Sequence, residues 1–373
     1  MVIVVNTRLL RKNAMDGIGW FTYNTMKYIV EKHPEITFHF LFDSGIDQDF
    51  LFGNNVVPHN LFPPAKHALL NVLWFEISCS RLLHKIKPDL FLTPDGICCL
   101  SWKGKQYAVI HDLNFLYYPK DIKLTNRLYY SHFLKKSAVV ATRVGTVSEF
   151  SKQDLIKKYG VNAQKIDVLY NGINNFFVPV SDEQKIAVRN KNSDGKNYFL
   201  FVGTLLPRKN VLNLLKAFEL FKNNSASDFK LLIVGKELYR TEELHTYCNS
   251  MTHKADVIFL GRLPDDQLQL VLSSAFCLAY IPYFEGFGIP IIEAMNNHIP
   301  VITSNVTSMP EIAGDSALLV DPFDINDIAS AMQEVSNNEA HRKELIVKGI
   351  ERARLFSWEK TADLLWQGVL QCF

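Results

Sequence analysis

The sequence predicts an α/β fold: two doubly wound, Rossmann-like parallel-sheet domains, each covered by helices on both faces. Three observations carry this. Short apolar runs alternate with helical patterns along nearly the whole chain, an order that requires right-handed crossovers and parallel strands. One polar, charged, glycine-containing stretch, residues 180–197, interrupts the alternation. The 373 residues, 48% of them hydrophobic, are enough for two cores of ordinary size.

The strands follow in order. Residues 2–5 form the first, because five apolar residues followed by Asn6, Thr7 and Arg8 lack the charged start and long apolar stretch of a signal peptide. Residues 37–42, 89–92, 107–110, 143–147 and 165–169 complete the first sheet. The second comprises 198–202, 230–234, 256–260, 276–280, 300–303 and 317–320. Apolar residues at i, i+3 and i+4 mark helices between them, as in 211–221 and 68–86. In the latter, Leu70, Leu73, Trp74, Phe75 and Ile77 read as a core stripe, with a membrane face as the competing reading. Residues 357–373, with Trp358, Ala362, Leu365, Trp366 and Val369, form one amphipathic helix. The expected boundaries are a first domain over 1–180, a linker over 181–197 and a second domain over 198–356.

Composition narrows the function. With 18 Gly and 15 Pro the chain is ordinary globular protein, which excludes disorder, collagen and a small disulfide scaffold. Lys plus Arg number 40 and Asp plus Glu 38, and the net charge of +2 argues against a dedicated nucleic-acid binder. The halves differ, however. Residues 1–180 hold 21 Lys/Arg and 14 Asp/Glu (+7), and residues 181–373 hold 19 and 24 (−5). The six cysteines show no CxxC or metal-ligand spacing, and most lie in apolar runs, as a reducing cytoplasmic interior favours. No window approaches about 20 apolar residues, so no membrane-spanning helix is expected.

Open parallel sheets bind ligands at the carboxyl ends of their strands. Four segments there carry chemistry. Asp16-Gly17-Ile18-Gly19-Trp20 runs into a helix at 21–31, and two glycines before a helix let backbone N–H groups approach an anion. The competing reading is a plain N-terminal turn; the third glycine of the dinucleotide fingerprint is replaced by Thr22. His111-Asp112 follows a strand, as either a ligand-facing pair or a surface His beside a capping Asp. Gly203-Thr-Leu-Leu-Pro-Arg-Lys-Asn210 ends a strand and opens a helix. Arg208 and Lys209 there oppose the helix dipole unless they clamp a phosphate; otherwise they are a solvated pair. The most specific segment runs from Glu285 through Gly286, Phe287, Gly288 and Ile289 to Glu293 and Met295. One carboxylate falls on a surface loop and the other two turns into a helix, with loop amides between them. Such a pair can hold the hydroxyls of a sugar and a ribose while the amides face phosphate.

Those segments resemble the retaining GT-B glycosyltransferases of family 4, built from two Rossmann-like domains facing across a nucleotide-sugar cleft. The resemblance extends through Gly145-Thr-Val-Ser-Glu-Phe-Ser-Lys152, Tyr170-Asn171-Gly172, Phe259-Leu-Gly-Arg262, Pro300-Val-Ile-Thr-Ser-Asn305, Met309-Pro310-Glu311, Gly314-Asp315 and Leu319-Val-Asp-Pro322. It is nearest in flavour to bacterial mannosyltransferases of O-antigen and capsule assembly. Two departures stand out. Thr204 occupies a position where many relatives have Arg, and Asn296-Asn297-His298 stands where relatives usually read Ala-Cys-Gly.

The resemblance implies transfer of a hexose from a nucleotide-diphosphate sugar, GDP-mannose favoured, to a glycan or lipid-linked acceptor. It implies a catalytic set of His111, Arg208, Lys209 and Glu285. The donor-binding set would be Gly17, Gly19, Gly203, Arg262, Gly286, Phe287, Gly288, Ile289 and Glu293. Glu293 would hold the ribose hydroxyls, Glu285 the sugar hydroxyls, and His111 would contact the donor sugar near the reacting carbon. The last helix would return to the first domain. No cofactor and no metal are expected, because Arg208 and Lys209 would neutralise the diphosphate and the chain is taken to lack an Asp-x-Asp metal motif. Lys66, Arg81, Lys85 and Lys87 along one helix, and Arg127, Lys135 and Lys136 along another, predict salt-sensitive contact with the cytoplasmic face of the membrane. A mildly basic solvated surface is the competing reading. Among other functions, a nicotinamide dehydrogenase would need the missing dinucleotide fingerprint. A sugar-nucleotide 2-epimerase would turn over donor without acceptor, and a non-catalytic binder would not need Glu285, Lys209 and His111 intact.

Overall fold

The computed structural model describes residues 1–12, 15–65, 67–225, 227–238 and 241–373. Two compact units divide it: Met1–Gly172 with Ser357–Phe373, and Ile173–Phe356. Among the described residues no helix is long and apolar enough to cross a membrane.

In the first unit β1 (Val2–Asn6), β2 (Thr37–Phe42), β3 (Val56–Asn60), β4 (Leu90–Thr93), β5 (Gln106–Val109), β6 (Arg143–Thr146) and β7 (Ile166–Val168) form one sheet. Every pairing is parallel, in the order β3-β2-β1-β4-β5-β6-β7. The order reverses between β1 and β4, which is where an open sheet leaves a crevice for ligand. Val4 and Val5 of β1 are fully buried, as a strand covered on both faces must be. β3 is an addition to the expected strands. Its Pro58, opposite Phe40, disguises it, and proline is tolerated there because β3 is an edge strand.

The second unit contains β8 (Tyr198–Val202), β9 (Lys230–Val234), β10 (Val257–Gly261), β11 (Cys277–Tyr280), β12 (Val301–Ser304) and β13 (Leu318–Val320). They too are all parallel, in the order β10-β9-β8-β11-β12-β13, with the reversal between β8 and β11. Phe199 and Phe221, fully buried, cluster with the partly buried Phe229 and Phe276 at one end of this sheet, most of the pairs edge-on.

Two expectations need correction. The stretch 181–197 is not an extended linker: Asp182–Ser193 is a helix. Ser181 and Gln184 form a reciprocal capping box at its start, and left-handed Asp194 ends it. Polar composition here reflects a helix lying on the surface, held to the second unit by the Arg189 Nε–H bond to Ser274 O at 3.1 Å. Residues 173–180 also belong to that unit, where Asn296 Nδ2 donates to Phe177 O at 2.7 Å. The 68–86 segment is broken into Ala68–Leu73, a π-helical Trp74–Cys79 and Ser80–Ile86. The wider turn aims Trp74 and Phe75 inward and leaves Ile77 39% exposed, so Ile77 leaves the core stripe.

The helix Trp358–Leu370 packs in the first unit, where Thr361 Oγ1 donates to Tyr170 O and Trp358 meets Phe21 edge-on. All six cysteines are free and buried.

Candidate active site

At the carboxyl edge of the second sheet, Gly203 follows β8. A Cβ on Gly235, which follows β9, would lie 1.8 Å from Gly203 O, so only glycine lets these two turns meet. Beyond them Pro207–Lys209 forms a 3-10 turn and Asn210 adopts a left-handed φ of 63° before the helix Val211–Asn223. Asn210 is held there by its Nδ2 bond to Pro322 O at 2.7 Å. This kink turns Arg208 and Lys209 back over the sheet edge and away from the helix end, where the dipole would oppose them.

Both cations converge on Glu285. Arg208 Nη1 and Lys209 Nζ contact the same oxygen, Oε1, the latter at 2.5 Å. Lys209 also donates to the Tyr280 hydroxyl at 2.5 Å and lies 5.1 Å from that ring's centre. The Glu285 side chain is 11% exposed, which corrects the expectation of a surface loop carboxylate. The segment after β11 folds inward because Ser308 Oγ bonds Glu285 O at 2.9 Å and Arg208 Nη1 bonds Phe284 O at 3.2 Å. Burial alone would raise the Glu285 pKa, but Arg208 and Lys209 outweigh it and hold it below the usual value.

Gly288 then begins the helix Ile289–Asn296 with φ 92°, and a Cβ there would meet Met309 Cε at 2.7 Å. No side chain caps this helix, which leaves its start to the backbone of Gly286, Phe287, Gly288 and Ile289. Phe287 is buried edge-on against Phe356. Glu293, one turn into the helix, is 7% exposed. Burial and the neighbouring Asp265 push its pKa up to about 8. Burial raises the Asp265 pKa, and Arg262, exposed just past β10, partly offsets it, which links all three electrostatically.

Two family models match this chain: glycosyl transferases group 1 over residues 182–352, and glycosyltransferase family 4 over residues 15–175. Together they span both parallel-sheet units. The chain belongs to the GT-B glycosyltransferases. O-antigen chain mannosyltransferase B of Escherichia coli is 30% identical over 257 residues, 68% of this chain and 66% of that protein. O-antigen chain mannosyltransferase RfbU of Salmonella typhimurium is 31% identical over 230 residues, 62% of this chain and 60% of that one. The matches therefore span under two thirds of these relatives' length. Sucrose-phosphate synthase of Thermosynechococcus elongatus has a TM-score of 0.81 at 20% identity, covering 100% of this chain and 98% of its own. Anabaena HepE, solved with UDP-glucose, gives 0.74 at 17% identity over 100% of both. At such identities the likeness is one of fold.

In this glycosyltransferase the remaining expected residues lie in the first unit. His111 follows β5, and its Nε2 lies 2.8 Å from Pro94 O. A carbonyl can only accept, so Nε2 carries the proton in the neutral ring. Burial keeps His111 below its usual pKa against the raising effects of Pro94, Asp112, Asp16 and Asp95. Phe21 supports the ring edge-on at 5.1 Å. Gly17 and Gly19 do not form a loop ahead of a helix; they belong to the first turn of Gly17–Lys32. The Ile18 and Gly19 amides are taken by Asp16 Oδ1 at 3.1 and 3.0 Å. That carboxylate stands where the expected anion would have bound them.

An Asp-x-Asp triplet does occur, Asp47-Gln48-Asp49, which corrects the expectation of none. It lies in the first unit after β2, where Asp47 caps the Asp49 amide at 3.0 Å and Asp49 pairs with Lys12. Among the described residues no group of three or more His, Cys, Asp or Glu side chains is placed to hold a metal. Lys66 lies outside the described residues.

Sequence reasoning passed over Tyr280, Gly235 and Asp265. Tyr280 was hidden as the apolar end of a strand, and Gly235 was visible only as a lone glycine after one. The Asn296-Asn297-His298 departure has a structural account. Asn297 bonds Ser273 and the Glu293 carbonyl, while His298 takes a left-handed φ of 61° that a glycine would adopt without strain.

Proposed function

We propose that this glycosyltransferase moves a hexose from a nucleotide-diphosphate sugar to a glycan or lipid-linked acceptor of surface polysaccharide synthesis, with retention at the anomeric carbon. Mannose is the favoured hexose and GDP-mannose the favoured donor. The observation that carries this is the convergence of Arg208 and Lys209 on one buried carboxylate at the carboxyl edge of β8 and β11. Cations held at the switch point of a parallel sheet suit a diphosphate, whose charge grows as the sugar leaves. Glu285, kept ionised by both cations, accepts hydrogen bonds from the hexose hydroxyls, and Glu293 accepts from the ribose. The backbone of Gly286, Phe287, Gly288 and Ile289, with Gly203 and Arg262, lines the diphosphate and hexose. His111, neutral, contacts the hexose near the reacting carbon. The leaving phosphate takes the acceptor proton on the same face, which gives retention. The mannosyltransferase names of the two bacterial relatives and the UDP-glucose held by HepE support the donor class.

Arg208 and Lys209 supply the countercharge, so turnover proceeds without a divalent metal. A thermal-shift panel of GDP-mannose, UDP-glucose, UDP-GlcNAc and UDP-galactose, each with and without EDTA, tests the reading. GDP-mannose should raise Tm by several degrees, about equally in EDTA. No shift with any of the four, or a shift only with Mg²⁺ or Mn²⁺, contradicts it.

The acceptor-side unit meets the cytoplasmic face of the membrane peripherally. On the helix Leu124–Val140, Leu124 and Leu128 are 60% and 61% exposed around Arg127, a mix of apolar and basic groups suited to an anionic leaflet. The chain should pellet with anionic but not neutral vesicles at low salt; recovery in the supernatant throughout removes this part.

A further inference from the structure

An ammonium on a flexible four-carbon stem is harder to place than a planar guanidinium fork. A lysine that must meet growing charge at one point therefore needs anchors. Lys209 is anchored by Glu285 and by Tyr280. Its Nζ lies 2.5 Å from Glu285 Oε1 and donates to the Tyr280 hydroxyl at 2.5 Å, with the centre of that ring 5.1 Å away. The first anchor is contested. Arg208 Nη1 contacts the same carboxylate oxygen, and in the donor reading hexose hydroxyls bond that carboxylate too. Tyr280 is fully buried, so no substrate competes for it.

The second anchor is also the stiffer one. Tyr280 is the last residue of β11, an interior strand paired on one side with β8 and on the other with β12, where Tyr280 stands opposite Thr303. Its ring stacks on the fully buried Phe201 of β8, with centroids 6.0 Å apart and planes 25° apart. The hydroxyl is used twice: its oxygen accepts from Lys209, and its proton is given to Glu285. Burial, with Glu285 and Glu293, raises the Tyr280 pKa against Arg208, so the phenol keeps the proton it donates. A hydroxyl at this depth is costly unless bonded, and the rest of the strand, Cys277-Leu278-Ala279, is apolar. An apolar residue would complete that strand equally well. What the hydroxyl adds is its pair of bonds to Lys209 and Glu285.

We propose that Tyr280 is a positioning residue: its hydroxyl and ring hold the Lys209 ammonium at the sheet edge, where its charge meets the second phosphate of the donor, and keep it there when Glu285 turns to the hexose. The role of the second phosphate rests on the donor reading; the hold on Lys209 does not. Because Tyr280 acts through Lys209 alone, its hydroxyl should matter for a diphosphate and be indifferent to a monophosphate. The ring contributes separately, through its face toward the cation.

Calorimetry and lysine NMR on the full chain test this. Tyr280→Phe keeps the ring and removes the hydroxyl; Tyr280→Leu removes both. Tyr280→Phe should lose about three- to tenfold in GDP affinity and Tyr280→Leu more, while GMP affinity stays within about twofold of wild type in each. A merely structural role would weaken both nucleotides together. Without any nucleotide, the ¹³Cε signal of Lys209, assigned by its loss in Lys209→Arg, should report a rigid side chain in wild type and a mobile one in Tyr280→Phe. If Tyr280→Leu does not fold, Tyr280→Phe decides alone. Three results overturn the role: Tyr280→Phe binds GDP like wild type, GDP and GMP affinities fall in parallel, or Lys209 is equally rigid in both chains. A wild-type chain with no preference for GDP over GMP would instead contradict the donor reading and remove the diphosphate part of the proposal; the NMR comparison would still decide whether Tyr280 holds Lys209.

Discussion

The carboxyl edges of the two sheets carry opposite charge balances, and the balance runs against that of the surrounding sequence. At the second edge two cations, Arg208 and Lys209, share the single carboxylate of Glu285. At the first, Arg8 has its own Asp95, Arg11 its own Asp43, and Asp16 and Asp112 stand in excess. Yet residues 1–180 carry +7 and residues 181–373 carry −5. What a site binds is set by the few charges that burial strengthens, whereas net charge is dominated by solvated groups that salt screens. The cation-rich edge suits a diphosphate, whereas the first edge pairs its cations internally.

The largest effect should come from breaking the second edge. Glu285→Ala leaves two largely buried cations facing each other, so it should cost about 3 kcal/mol of stability in denaturant melts. Turnover should fall about 10²- to 10³-fold, because the ionised acceptor for the donor hexose is gone. Near wild-type kcat would end the role given to this residue.

A smaller effect sharpens the contrast between the two carboxylates of the same segment. Glu293 has its pKa pushed up to about 8 from 4.5 in the unfolded chain. Between those values the folded chain keeps a proton that the unfolded chain has released, so stability falls as pH rises, with the full penalty present above pH 8. Glu293→Gln should therefore equal wild type near pH 4 and exceed it by at least about 1 kcal/mol at pH 8.5. Glu285 has the reverse sign: its depressed pKa contributes stability above the unfolded value that is lost as pH falls through the folded one. Parallel pH–stability curves for wild type and Glu293→Gln would contradict the assignment.

Much of this was legible in the sequence, and the rest was hidden for physical reasons. Strand–helix alternation reveals parallel sheets because apolar period and crossover handedness are local consequences of backbone geometry. Gly203–Asn210 and Glu285–Glu293 were readable because each lies in one short segment. Their meeting was not, since Arg208 and Glu285 are 77 positions apart. The first edge was less legible still. Arg8 and Asp95, 87 positions apart, are each an unremarkable surface residue type until folding buries them together. The helix Asp182–Ser193 was misread because a polar surface helix and a linker share a composition; the Ser181–Gln184 box was the signal that separates them. The Gly17–Gly19 turn was misplaced because Asp16, read as loop, is the cap that satisfies its amides.

Calorimetric titration of GDP and GMP into wild type and an Arg208→Ala/Lys209→Ala variant tests the central claim most directly. If these two cations hold the donor diphosphate, wild type should bind GDP at least about tenfold tighter than GMP, and the variant should bind the two about equally. A variant that keeps the wild-type preference for the diphosphate, or a wild-type chain that binds neither nucleotide, would contradict the account.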